Sequence, residues 1–218
     1  MQRTATMLVA AGLLLAAPAA GFRAAGAPPA KPSVLVVTLD TTRADRLGCY
    51  GKVKGLTPAL DAWASRSFLF EHCEAPVPET VPSHVSLFSG WYPNRHGVRK
   101  NLEVKVPAAV PLLAESFKGA GYSTGAFVSA FVLLGRYGLG RGFGAYDEAF
   151  YYAGRPEVVE RRAGETLAAA AAWLESQKQP WFCWIHLYDP HLPYSPPPPF
   201  DKKYAGAPYD GEIAYMDQ

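Results

Sequence analysis

Cysteine is scarce in this chain: Cys49, Cys73 and Cys183 are the only three in 218 residues. A small, odd number without C-x-x-C spacing excludes a disulfide scaffold and a thiolate zinc site. An excess of charge of one sign is also missing. The 21 Lys and Arg nearly balance 19 Asp and Glu, leaving a formal charge of +2. That balance gives no electrostatic case for nucleic acid or for a charged membrane face. Long hydrophobic runs are lacking too. The apolar stretch from Met7 to Ala17 falls short of the roughly 20 residues a membrane-spanning helix needs. With 49% hydrophobic and 13% aromatic residues, disorder, collagen and coiled coil are excluded. What remains is a globular domain, and 20 Gly with 20 Pro make it rich in turns.

Arg3 precedes the apolar stretch, which ends in Ala17-Pro18-Ala19. A basic start, a short greasy core and an A-x-A site read as a signal peptide over residues 1–20, with an uncleaved anchor as the alternative. No membrane attachment beyond this leader is expected, and the destination is periplasmic or secreted. Residues 21–32 read as an Ala/Pro-rich linker, and the folded domain is expected over 33–218.

Val34 to Leu39 is a continuous β-branched run, suited to a buried central strand of a parallel sheet. Thr57-Pro58 opens a helix, with Thr as N-cap and Pro at the first helical position. Ser67 to His72 is a candidate strand. Pro82 to Phe88 and Pro111 to Ala120 read as short helices and Tyr122 to Val128 as a strand. Glu157 to Gln177 reads as a helix with Ala163, Leu167, Ala170 and Leu174 on one face. Trp181 to Leu187 reads as a second buried strand, followed by a Pro-rich loop over 189–200. Tyr209 to Gln218 reads as a helix that reaches the last residue with no terminating Gly. The chain is therefore expected to be incomplete at its C-terminus. Strands alternating with helices give an α/β fold with a mostly parallel sheet flanked by helices.

Ligands of open α/β sheets bind outside the carboxyl ends of the strands. Asp40 follows such a strand, placed to hold a hard cation or simply to cap a turn. Thr80 stands at the start of a helix, where exposed amides attract anions; it is a nucleophile candidate or an ordinary N-cap.

The segments VLVVTLDTTRADRLGCYG, TPALDAWASRSFLF, TVPSHVSLFSGWYPNRHGV, GYSTGAF, WIHLYDPHLPY and YDGEIAYMD occur in an order that resembles the N-terminal portion of the sulfatase-like family, in the alkaline phosphatase superfamily. The resemblance implies an alkaline-phosphatase/sulfatase-like fold and an ester hydrolase. Sulfatases of this kind carry Cys or Ser in C-x-P-x-R, matured to formylglycine. Here Thr80 and His84 hold those positions, so no formylglycine is expected. Thr80-x-Pro82-x-His84, Tyr92-Pro93-x-x-His96-Gly97 and Asn101 resemble instead the nucleotide pyrophosphatase/phosphodiesterase branch. Asp40 with Arg43 and Asp45 resembles the first motif of phosphonate monoester hydrolases.

By this resemblance Thr80 is nucleophile and metal ligand with Asp40, Asn101 binds a non-bridging oxygen, and His191 in Asp189-Pro190-His191-x-Pro193 contacts the substrate. His84 orients a group near Thr80 or packs there. His186 is read as a core histidine, and His72 and His96 as structural. Arg95 and Arg99 lie near the site as a solvated basic loop or as attractants of an anion. The implied cofactor is a divalent metal, Ca²⁺ or Mg²⁺, or two Zn²⁺. No distal Asp-His-Gly-type segment precedes Gln218, so the 218-residue chain alone is expected to hold metal poorly and to be inactive. The expected substrate is a small-molecule or glycan sulfate or phosphate ester, with the phosphodiester and phosphonate type favoured by Thr80. The alternatives are a phosphoryl-headgroup transferase of the same superfamily and a non-catalytic remnant.

Overall fold

A computed structural model describes residues 31–51, 53–152, 160–178 and 180–218. The signal-peptide reading and all but two residues of the linker reading lie outside them. No described helix is long and apolar enough to cross a membrane.

Among the described residues the sheet has four parallel strands: β1 (Val34–Leu39), β2 (Ser123–Phe127), β3 (Ala145–Asp147) and β4 (Trp181–Leu187), in the order β1-β4-β2-β3. The helices are α1 (Pro58–Ala64), α2 (Thr80–Ser89), α3 (Pro93–His96), α4 (Leu113–Gly119), α5 (Ala149–Tyr152), α6 (Ala163–Ser176), α7 (Phe200–Lys203) and α8 (Pro208–Asp217). The expected α/β architecture is present.

β4 is central because its side chains serve two cores. Phe182 and Trp184 point to one face, where they pack with Val81, Val85, Phe88 and Leu112. Cys183, Ile185 and Leu187 point to the other, with Ala163, Ala170 and Ile213. Alternation along a pleated strand sends successive residues to opposite faces, so a strand covered on both sides must be apolar throughout.

β1, expected at the centre, is an edge strand among the described residues. It pairs only with β4, from Val34 opposite Phe182 to Leu39 opposite Leu187. Leu35 and Val37 are 47% and 42% exposed. A continuous apolar run encodes a strand and is silent on its rank in the sheet.

Other expectations are corrected as well. Ser67 to His72 forms no strand: it joins no ladder, and Phe68 is 98% exposed. The long helix begins at Ala163, since Glu160 bridges Ala130 in antiparallel fashion and the Arg161 N–H donates to the Ser129 carbonyl. Its buried residues are Ala163, Thr166 and Ala170, whereas Leu167 is exposed. Thr57 precedes α1 without capping it by its side chain. Its hydroxyl accepts from Gly48 N and donates to Asp61, and the first-turn amides of Ala59 and Leu60 donate to Asp217, at 2.8 and 2.7 Å. α2 ends at Gly90, whose φ of 68° is the left-handed stop that glycine makes without steric cost.

Gly142 fixes the crossing between the β2–β3 connection and α4. Its φ is +86°, and a Cβ there would collide with the backbone of Ala114 and Glu115. Gly142→Ala is therefore expected to lower stability by about 1–3 kcal/mol, read as an earlier midpoint in urea unfolding. An unshifted midpoint would contradict this packing.

Candidate active site

The carboxyl ends of β1 and β4 and the amino end of α2 open onto one cavity of about 970 Å³. Asp40, Thr80, His84, Asn101, Tyr188 and His191 all line it. Five residues singled out in the sequence are thus brought together, with Tyr188 added.

Asp40 leaves β1 while its N–H still donates to the Leu187 carbonyl, at 2.9 Å, so the β1–β4 register fixes where its carboxylate stands. Its Oδ1 accepts from Thr41 N, at 2.8 Å, and its Oδ2 from His186 Nε2, at 3.1 Å. Burial by itself favours the protonated acid. The hydrogen bond from His186, the electrostatic attraction of His186 and His84, and the Thr80 hydroxyl outweigh it and bring Asp40 down to about 2. Asp40 is an anion.

His186 is fully buried, as a core histidine is, but it also orients Asp40. Its Nδ1 accepts from Ser129 N, at 3.3 Å, so the proton sits on Nε2 and is donated to the carboxylate. Ser129 is fixed in turn: its hydroxyl donates to the His186 carbonyl, at 2.6 Å, and lies 2.7 Å from Thr166 Oγ1. The sequence offered one signal for this pairing, a polar residue interrupting the apolar run of β4 one step before its end.

Thr80 is the first residue of α2, whose Val81, Val85 and Phe88 are buried in the core. That packing holds the helix and turns Thr80 into the cavity. The first turn offers fewer free amides than a helix start usually does. Val81 N donates to Asn101 Oδ1, at 2.8 Å, Pro82 has none, and Ser83 N donates to the Glu79 carbonyl, at 3.2 Å. Because Asn101 uses its oxygen on Val81, and its own N–H donates to Glu79 Oε2, at 2.6 Å, the side-chain NH₂ is the end left for the cavity.

His84 is oriented by three linked bonds. Trp184 Nε1 donates to Thr38 Oγ1, at 3.1 Å; the Thr38 hydroxyl donates to His84 Nε2, at 3.1 Å; His84 Nδ1 donates to the Thr80 carbonyl, at 2.7 Å. Both ring nitrogens of His84 are engaged inside the protein, and the bond toward Thr80 goes to its backbone carbonyl. Burial first, then the neighbouring His186, lower its pKa to about 4 against the pull of Asp40, keeping the ring neutral.

Tyr188 stands one residue past β4 with its ring stacked on His191, 4.3 Å between centroids. Burial, with the charges of Asp40 and Glu160, pushes its phenol well above the usual range against the opposing effect of the Thr80 hydroxyl. It is a protonated donor beside Thr80. No sequence pattern marked it. Asp189, in the same motif, turns away and caps α6 through Ala163 N. Neither Arg95 nor Arg99 lines the cavity; Arg95 lies over the Trp91 ring, 4.0 Å from its centroid.

Asp40 and Thr80 offer one carboxylate and one hydroxyl toward a cation. A hard dication takes six or more oxygens, and no group of three or more His, Cys, Asp or Glu able to hold a metal occurs among the described residues. The described side chains do not make up a complete metal site.

A family model described as Sulfatase matches residues 32–218. The Delta 4,5-hexuronate-2-O-sulfatase of Bacteroides thetaiotaomicron is 32% identical over 96 residues, which are 42% of this chain and 20% of that protein. The N-acetylgalactosamine-6-sulfatase of Sus scrofa is 33% identical over 124 residues, 51% of this chain and 24% of that protein. The chain spans about a fifth to a quarter of the length of these curated relatives. The phosphonate monoester hydrolase of Agrobacterium radiobacter superposes with a TM-score of 0.66 at 23% identity, over 80% of this chain and 44% of that one. That likeness is one of fold, the alkaline-phosphatase/sulfatase fold. A family match that runs through the whole described body, carrying both Asp40 and Thr80, establishes that the chain belongs to the sulfatase family.

Proposed function

We propose that the protein bearing this chain hydrolyses sulfate or phosphate esters, phosphodiesters and phosphonate monoesters above all, through a covalent ester on Thr80. One observation carries the reading: the Thr80 hydroxyl, at the start of a core-anchored helix, shares its cavity with the ionised Asp40. The relatives' names support ester hydrolysis, and a threonine in place of a formylglycine precursor supports phosphorus over sulfur. Threonine has one oxygen, so the intermediate cannot collapse as a geminal diol does and must be released by attack of water or another alcohol.

In this reading the Thr80 hydroxyl hydrogen-bonds to the Asp40 carboxylate, which receives its proton as the oxygen attacks phosphorus. The bond from phosphorus to the ester oxygen breaks, and the alcohol leaves with a proton taken from solvent. The Asn101 NH₂ and the Thr80 N–H hold non-bridging oxygens, fixed donors aimed where negative charge builds. Tyr188 donates to an oxygen at the reacting centre, and His191, braced on Tyr188, contacts the same group. His84 holds the Thr80 backbone and is a positioning residue. Any divalent cation would take Asp40 and Thr80 as two of its ligands, the remainder lying outside the described residues.

The test is to quench the full-length protein in acid during turnover of a 4-nitrophenyl phosphonate or phosphodiester and map the adduct by peptide mass spectrometry. A phosphoryl or phosphonyl group on the peptide 80–95, localised to Thr80, is expected. Turnover with an adduct on another residue, or with none in rapid-quench samples, would overturn the assignment.

A further inference from the structure

Beyond the reacting end, the cavity continues along α2. Thr80, Ser83 and Leu87 follow one another at helical spacing on its cavity face, and Trp91 and Tyr92 extend the wall past Gly90. At 1.5 Å per residue, Leu87 lies about 10 Å along the axis from Thr80. Pro76, Val77 and Pro78 also line the cavity, and two of these three residues have a fixed φ. Leu87 is 55% and Tyr92 71% exposed, so the far end of the groove is apolar surface left open to solvent. Trp91 is held in place by the Arg95 guanidinium stacked on it.

Charge narrows what can lie there. The acidic side chains lining the cavity are Asp40, Glu74 and Glu79, and among the described residues no Lys or Arg lines it. A multiply sulfated glycan would meet carboxylates where it needs cations. An apolar chain would meet leucine, proline and aromatic rings, continuous with the nucleophile.

We infer that this groove binds an alkyl or aryl substituent of the ester substrate, so that the enzyme acts on esters of hydrophobic alcohols or on phosphonates with hydrophobic chains rather than on polysulfated glycans. The inference rests on the reading of Thr80 as nucleophile, since that is what places the groove beside the reacting centre. Each methylene buried is worth up to about fourfold in affinity.

The test uses the full-length protein and two readouts. Direct calorimetric binding of methyl-, butyl- and hexylphosphonate, each with a single organic substituent, is expected to give Kd values that fall at least about tenfold from methyl to hexyl. Leu87→Ser and Tyr92→Ser, two independent variants so that a failure of one to fold does not decide the matter, are each expected to flatten that series. A chain-length-independent Kd, or tighter binding of a 6-sulfated N-acetylgalactosamine disaccharide that weakens with salt, would overturn the groove assignment. Turnover of the 4-nitrophenyl ester is scored separately. Turnover with a flat series rejects the groove alone, whereas a steep series without turnover or adduct rejects the Thr80 reading and with it the hydrolytic role given to the groove.

Discussion

Thr80→Ala in the full-length protein is expected to lower kcat for a 4-nitrophenyl phosphonate by roughly 10³-fold or more, the scale on which removal of a nucleophile is felt when binding and orientation survive. The fold gives the substitution a clean background. Alanine is a good helix former, and α2 is anchored by Val81, Val85 and Phe88 rather than by the threonine side chain. Melting temperature is therefore expected to change little, and steady-state rates with a thermal melt check both halves. Thr80→Ser is the matched control. It restores an oxygen in the same place and is expected to recover most of the loss, because Asn101 and Asp40 are positioned independently of the threonine methyl. Retention of more than about a tenth of the rate by the alanine variant would move the nucleophile to another residue.

The largest stability effect is expected at Trp184. Its side chain is fully buried, with ring centroids 4.7 Å from Phe88, 5.4 Å from His84 and 6.1 Å from Phe143. Truncation to alanine removes that contact area and leaves a cavity in the central strand, at a cost of about 3–5 kcal/mol. Against a total stability of about 5–15 kcal/mol, this change alone removes from about a fifth to all of it, which a urea titration measures. Trp184→Phe separates packing from polarity. It keeps most of the ring but removes the Nε1 donor to Thr38, the first link of the chain that ends on the Thr80 carbonyl. It is expected to cost about 1 kcal/mol beyond the lost volume and to lower kcat more than the stability change explains. Equal urea midpoints for wild type and Trp184→Ala would show that the residue is not a core element.

Much of the site was legible before any coordinates. A β-branched run followed by Asp40, and a Thr-x-Pro-x-His segment at a helix start, are local signals, and both elements formed where expected. Asn101 and His191, which line the same cavity, are marked in the sequence by their place within the resembling motifs. Other features had little or no local signal. The pairing of Asp40 with His186 depends on β1 and β4 lying side by side across 146 residues of sequence. The capping of α1 by Asp217, at a separation of 158 residues, is of the same kind. Tyr188 reads as any aromatic residue at a strand end until the fold turns it toward Thr80.

The sequence by itself determined the type of the elements that carry the candidate site, β1, α2 and β4, because hydrophobic period, Pro at helix starts and Gly at helix ends act within a few residues. It also marked Asp40, Thr80, His84, Asn101 and His191 as candidates for chemistry, and left Tyr188 unmarked. Only the tertiary structure decided strand order, which among the described residues puts Val34–Leu39 at a sheet edge and Trp181–Leu187 between two neighbours. It likewise decided the protonation of the site, since an anionic Asp40 and a neutral His84 follow from burial and from partners contributed by distant segments. Those are sums over neighbours in space, and a chain read in order shows only neighbours in sequence.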